Sequence, residues 1–151
     1  MAQALAAAAI GLLCWAAASD LATRRIPNRL PALLALVGVL RLGSDLAAGG
    51  APISAAGDLT VGLAVLALGA VLFRFGLFGG GDVKLMAAAS LWLGAVGLWP
   101  FLTATGLAGG ALALGYLARI AVIDATGSAR PTLPYGVAIA AGGVLATLPP
   151  F

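Results

Sequence analysis

The chain has 151 residues, of which 62% are hydrophobic and 9% charged, with a mean hydropathy of +1.12; an ordinary soluble domain is about a quarter charged. It has no histidine, one cysteine (Cys14) and one lysine (Lys84), and its five acidic side chains are all aspartates: Asp20, Asp45, Asp58, Asp82 and Asp124. That inventory excludes a Ser-His or Cys-His couple, a histidine-ligated metal, a four-cysteine zinc site, an intrachain disulfide and a CxxC redox pair.

Apolar runs with charges confined to the gaps predict an all-α, polytopic integral membrane protein of about six transmembrane helices. The first segment runs from Ala2 to Ser19. It is expected to be a retained helix despite Ala16-Ala17-Ala18, because Met1-Ala2-Gln3 has no basic side chain and the arginines follow the apolar run. Asp20 then faces the negative end of a helix dipole, which no structural role explains. In the connection, Arg24 and Arg25 are read as holding topology, Pro27 as stopping one helix and Pro31 as opening the next. The second segment, Pro31 to Ala48, carries Arg41, which has to snorkel to an interface; Asp45, beside Gly43 and Ser44, reads as a solvated turn.

The third segment runs from Asp58 to Phe73, with Asp58 as its N-cap. Before the fourth, Val83 to Trp99, stand Gly79, Gly80, Gly81 and Asp82. Three glycines permit backbone conformations closed to other residues and close approach by an extended peptide. Asp82 suits an N-cap, and capping is compatible with a chemical role. Neither a Walker loop nor a GxGxxG motif accompanies the glycines, so nucleotide binding is not expected. Lys84 reads as an inside anchor or an electrostatic neighbour of Asp82. Ser90 lies six residues further, about 240° around a helix, so the two form no local Ser-Lys couple.

Trp99-Pro100 is expected to break the fourth segment from the fifth, Phe101 to Ile123. Asp124 follows as a rival acid, and the sixth segment runs from Pro134 to Leu148. Gly106, Gly109, Gly110, Gly142 and Gly143 suit close helix packing. Trp15, Trp92, Trp99 and Tyr116 read as lipid-facing or interface aromatics.

Seven of the eight basic residues fall on one side of this layout, Arg41 being the exception. The bias implies an outside N-terminus and cytoplasmic odd-numbered connections. The net charge of +3 thereby reports topology and does not argue for nucleic acid. Asp20 and Asp82 then reach the same depth on the cytoplasmic face. If their helices pack together, two carboxylates share a proton and activate water, as in aspartic proteases, with no metal and no cofactor. Helix dipoles would make Asp82 the base and Asp20 the acid. Two other readings fit part of the pattern: a small proton- or cation-coupled transporter, whose relay acids belong nearer the midplane, and a non-catalytic membrane subunit.

Asp20-x-x-x-Arg24-x-Ile26-Pro27-Asn28, Gly79-Gly80-Gly81-Asp82-Val83-Lys84-Leu85-Met86-Ala87-Ala88 and Pro134-Tyr135-Gly136-Val137-Ala138-Ile139-Ala140 resemble, in order and spacing, signature segments of type IV prepilin peptidases, membrane aspartic proteases with a GxGD motif. The resemblance implies Asp20 and Asp82 as the catalytic pair. Gly79, Gly80, Gly81, Lys84, Arg24, Pro27, Asn28, Pro134, Tyr135 and Gly136 would bind substrate or shape the site. It also implies a multi-pass protein of the bacterial cytoplasmic membrane with its site at the cytoplasmic face. The substrate would be a prepilin or pseudopilin precursor, cut between a short basic leader and a hydrophobic helix; its other partner would be membrane lipid, and no nucleic acid is implied. Residues 1–151 read as one peptidase domain without the methyltransferase-associated or zinc-binding insert of larger members. This compact form resembles the enzymes of Flp/Tad pilus systems.

Overall fold

The computed structural model describes residues 1–123 and 133–148, and among them the fold is all-α. Five helices follow in order: α1 (Ala2–Thr23), α2 (Arg29–Ala47), α3 (Pro52–Arg74), α4 (Gly80–Ile123) and α5 (Tyr135–Thr147). The first four are long and apolar enough to cross a membrane, whereas α5 is shorter. At 13 residues it is about 20 Å long, against a hydrocarbon core of about 30 Å. Asp124 and Arg130 lie outside the described residues.

The expected fourth and fifth segments both lie within α4, which is two helical stretches meeting at Gly94, so the break between them falls there and not at Trp99-Pro100. Gly94 has φ 68° and ψ −171°, a conformation that glycine alone adopts cheaply. A break inside an apolar bundle also frees backbone groups that need partners. Asp58 supplies one, its Oδ1 accepting the Ala95 N–H at 2.8 Å. Pro100 stays inside the restarted helix.

Asp58 therefore caps a helix other than its own. α3 begins at Pro52, almost two turns before Asp58, and the carboxylate is left to reach across. Its Oδ2 accepts Arg41 Nη2 at 2.6 Å, while Arg41 Nη1 donates to Asp45 at 3.1 Å. Arg41 is held between two acids instead of snorkelling alone. Asp45 lies inside α2, which continues to Ala47, and not in a turn.

α4 is the hub, packing against α2, α3 and α5, while α1 packs against α2 and α5. Leu13, Leu34, Leu85, Phe101 and Ile139 are fully buried at the centre. Trp15 and Trp99 are exposed as expected, but Trp92 is buried. Its Nε1 donates to Thr147 Oγ1 at 3.0 Å, because a buried indole N–H needs an acceptor. Tyr116 is half-buried. Of the glycines expected at helix contacts, Gly109 meets Tyr135, Gly142 meets Thr105 and Phe101, and Gly143 meets Leu13; Gly106 and Gly110 face open space.

Candidate active site

Asp20 lies in the last turn of α1. The helix ends where Arg24 takes a left-handed φ of 54° and its N–H bonds the Asp20 carbonyl at 2.9 Å. Ser19 and Thr23 hydroxyls donate to the Arg25 carbonyl at 2.9 and 3.2 Å, folding the chain back. Ile26 and Pro27 then lead to Asn28, the N-cap of α2. Pro31 sits in the first turn of α2, where its missing N–H breaks no helical bond.

The Asp20 side chain is buried, 6% exposed, and its Oδ2 accepts the Gly136 N–H at 2.9 Å. Gly136 is the second residue of α5, and Pro134 is that helix's N-cap. The carboxylate at the C-terminal end of α1 is thus also at the N-terminal end of α5, where a free backbone donor and the positive dipole end meet it. Its position has the structural explanation that α1 alone does not supply.

Asp82 lies in the first turn of α4. Its carboxylate accepts a hydrogen bond from the Gly79 backbone N–H, the reach-back half of a capping box. It does not cap as the residue preceding its helix, since α4 already begins at Gly80. Asp20 is close enough for its charge to act on Asp82. Both acids therefore meet helix N-termini. The dipole argument that would make Asp20 the acid and Asp82 the base loses its footing, because the polarity of α5 opposes that of α1 at Asp20.

None of the three glycines before Asp82 has a positive φ; in this stretch only Gly76 does. Their smallness has another use. A Cβ on Gly79 would stand 2.7 Å from Asp82 Oδ2, one on Gly80 3.3 Å from Phe73, and one on Gly81 3.2 Å from Ile26 Cβ. Gly136 is equally tight: a Cβ there would stand 2.8 Å from both Asp20 Oδ2 and Ile26 Cδ1. Ile26 thus touches the glycine next to each aspartate's station. Phe78 and Tyr135 bridge the same two segments, their rings edge-to-face with centroids 5.5 Å apart. Lys84 Nζ donates to Asn28 Oδ1 at 2.9 Å, joining the Asp20–Asn28 stretch to them.

The structure thereby brings together Asp20, Asp82, Gly79, Gly81, Asn28, Lys84, Tyr135 and Gly136, with Pro27 and Pro134 setting the ends of α2 and α5. Gly80 packs outward on Phe73, and Arg24 contributes its backbone turn. Ile26 and Phe78 carry much of the convergence and were not singled out as site residues. Their signal was adjacency to the motifs, since an isoleucine and a phenylalanine in an apolar chain otherwise look like packing.

Residues 7–114 match the family model described as the type IV leader peptidase family. The chain belongs to that family. It is an aspartic prepilin peptidase, an enzyme of a family of the bacterial inner membrane. The match takes in Asp20 and Asp82 and ends before the Pro134-Tyr135-Gly136 segment that grips Asp20 in this peptidase. No curated protein and no solved structure matches the chain.

Proposed function

We propose that this peptidase removes the basic leader of prepilin-like precursors at the cytoplasmic face of the membrane, using water activated between Asp20 and Asp82. The observation that carries the reading is the grip on each acid by the backbone N–H of a glycine, Gly136 on Asp20 and Gly79 on Asp82, within reach of each other's charge. Of the two carboxylates, the ionised one takes a proton from water as its oxygen attacks the scissile carbonyl. The protonated one then gives its proton to the departing amine. The seven basic residues assigned to one side support an outside N-terminus and a cytoplasmic site. A single cysteine, and so no paired CxxC motifs, supports a compact enzyme of the Flp/Tad type.

Purified peptidase incubated with a prepilin precursor tests this reading. Asp20→Asn and Asp82→Asn are each expected to lower kcat by at least about a thousandfold. The wild-type rate should rise as the pair loses its first proton and fall as it loses its second, a bell-shaped profile owned by the pair. Substantial cleavage by either variant, or a profile flat across the carboxylate range, overturns the dyad.

A further inference from the structure

α2 and α3 each pack on α4 and barely touch each other. They are tied at one end by the Arg41–Asp58 ion pair at 2.6 Å. One step nearer the site, Leu91 of α4 fits between two glycines: a Cβ on Gly38 of α2 or on Gly62 of α3 would lie 3.0 Å from its side chain. From there toward the site the helices part, leaving a cavity of about 490 Å³. Its walls are apolar, with Ala32 and Ala35 on one side, Leu63 and Leu66 on the other, and α4 as the floor. From Leu91 to Lys84 the floor rises seven residues, about 10 Å or two helical turns.

The mouth differs from the walls. Asn28 and Lys84 line it, and the Asn28 carbonyl oxygen is occupied by the Lys84 ammonium. What remains facing outward is the Asn28 amide N–H₂ and the other ammonium protons, all donors. Lys84 is two residues beyond Asp82, about 200° around α4, so the groove and the acids occupy opposite flanks of the same helix end. The Ile26-Pro27-Asn28 segment joins the flanks, with Ile26 against Gly81 and Gly136 and Asn28 at the groove mouth.

We propose that the groove between α2 and α3 holds the first two turns of the precursor's apolar helix, entering from the lipid, with Lys84 setting the direction in which the precursor lies. This rests on the leader-peptidase reading above. An apolar helix start fits the walls, and the carbonyls of the extended stretch before it are acceptors for a mouth made of donors. Charge fixes the polarity: the ammonium repels a basic leader from the groove side, while the acids on the other flank attract it. The scissile bond then crosses the Ile26-Pro27-Asn28 bridge to the acids, leaving the leader beyond them. The occupant is the precursor and not a resident lipid.

Disulfide cross-linking with an added oxidant tests the placement, in full-length peptidase carrying Cys14→Ser and Asp82→Asn so that uncleaved precursor accumulates. Leu63→Cys and Ala32→Cys should each cross-link to a cysteine in the first two turns of the precursor helix, whereas the exposed controls Leu107→Cys and Leu145→Cys should not. In the active enzyme, Leu63→Trp fills the groove from its rim and should raise KM about tenfold with kcat unchanged, the loss of about 1.4 kcal/mol of docking. Lys84→Glu, which draws the leader into the mouth, should raise KM as well, and Lys84→Arg should not. Cross-linking that favours the controls, or a folded Leu63→Trp enzyme with unchanged KM, overturns the groove assignment; lipid retained there with no precursor cross-link does the same. Failure of the wild type to cleave any precursor instead overturns the underlying reading of the acids, and the cross-linking arm still reports on the groove.

Discussion

Gly136→Ala is a small perturbation aimed at one atom. The new Cβ would lie 2.8 Å from Asp20 Oδ2 and from Ile26 Cδ1, and 3.1 Å from Asp20 Cβ. Ile26 Cδ1 is the free end of its side chain and can turn aside, whereas Asp20 Oδ2 is held by the N–H beside the new Cβ, so the costly relief is Asp20's. Restoring an ordinary contact of 3.4 Å displaces the carboxylate oxygen by about 0.6 Å. The hydrogen bond from Gly136 N–H then stretches from 2.9 Å to about 3.3 Å, because Cβ and N lie in different directions from the oxygen, and so passes the usual N–H···O range. A bond to a charged acceptor is worth about 1.5–3 kcal/mol. A misplacement of about 1 Å at a reacting group costs about 100-fold in rate. For 0.6 Å the expected fall in kcat is between about tenfold and 100-fold.

Stability moves far less, because alanine in a helix gains about 0.5–1 kcal/mol over glycine, offsetting part of the lost bond. Precursor cleavage and thermal unfolding in the same detergent separate the two effects. Gly106→Ala is the matched control: the site is helical and a Cβ there meets nothing within 4 Å, so it should keep full activity and unfold slightly later. A folded Gly136→Ala enzyme with kcat within about twofold of wild type would refute the claim that this N–H positions Asp20.

Gly79→Ala places a Cβ 2.7 Å from Asp82 Oδ2 and should lower kcat by a similar factor, about tenfold or more; unchanged turnover in single-turnover assays would detach Asp82 from its glycine. Asp58→Ala removes the acceptor for both Arg41 and the Ala95 N–H and should cost about 3 kcal/mol, read as a fall in Tm, with Asp45→Ala costing less than about 1 kcal/mol because its pair is exposed. Trp92→Phe and Thr147→Val each break one 3.0 Å bond; a double-mutant cycle on unfolding should give a coupling of about 1 kcal/mol, and strict additivity would show that the indole is held by packing alone.

The outlines of α1 to α3, and the acids themselves, were legible because each rests on local pattern: an apolar run of spanning length, an aspartate at its edge, glycines beside it. The break in α4 was not. Gly94 is one of 22 glycines, and what makes it the break is an acceptor 37 residues away on another helix. A proline six residues further carries the stronger local signal, yet it stays inside the helix. Asp58 was misplaced for a related reason, since a carboxylate near a helix start looks like a local cap until Arg41 and a freed N–H come within reach; Asp45 was read as a solvated turn because Gly43 and Ser44 precede it, yet α2 runs on to Ala47. The triple glycine was read as conformational freedom and room for an approaching peptide; none of the three takes a positive φ, and Phe73 and Ile26 arrive from elsewhere in the chain to pack where a Cβ would stand.

The main chain takes part in orienting the two acids. Here the orienting groups include main-chain N–H donors, from Gly136 to Asp20 and from Gly79 to Asp82. Such a donor aims a carboxylate without offering a proton that can transfer, so the shared proton of the pair stays with the acids. Glycine is required at both stations because the residue that gives the hydrogen also has to leave its Cβ position empty for the oxygen it binds. Lys84, two residues from Asp82, has its ammonium on Asn28. Placing that cation on the opposite flank of α4 lets one helix end present acid to the scissile bond and positive charge to the groove. On the proposed reading, the same short motif both cuts a precursor and decides which way round it lies.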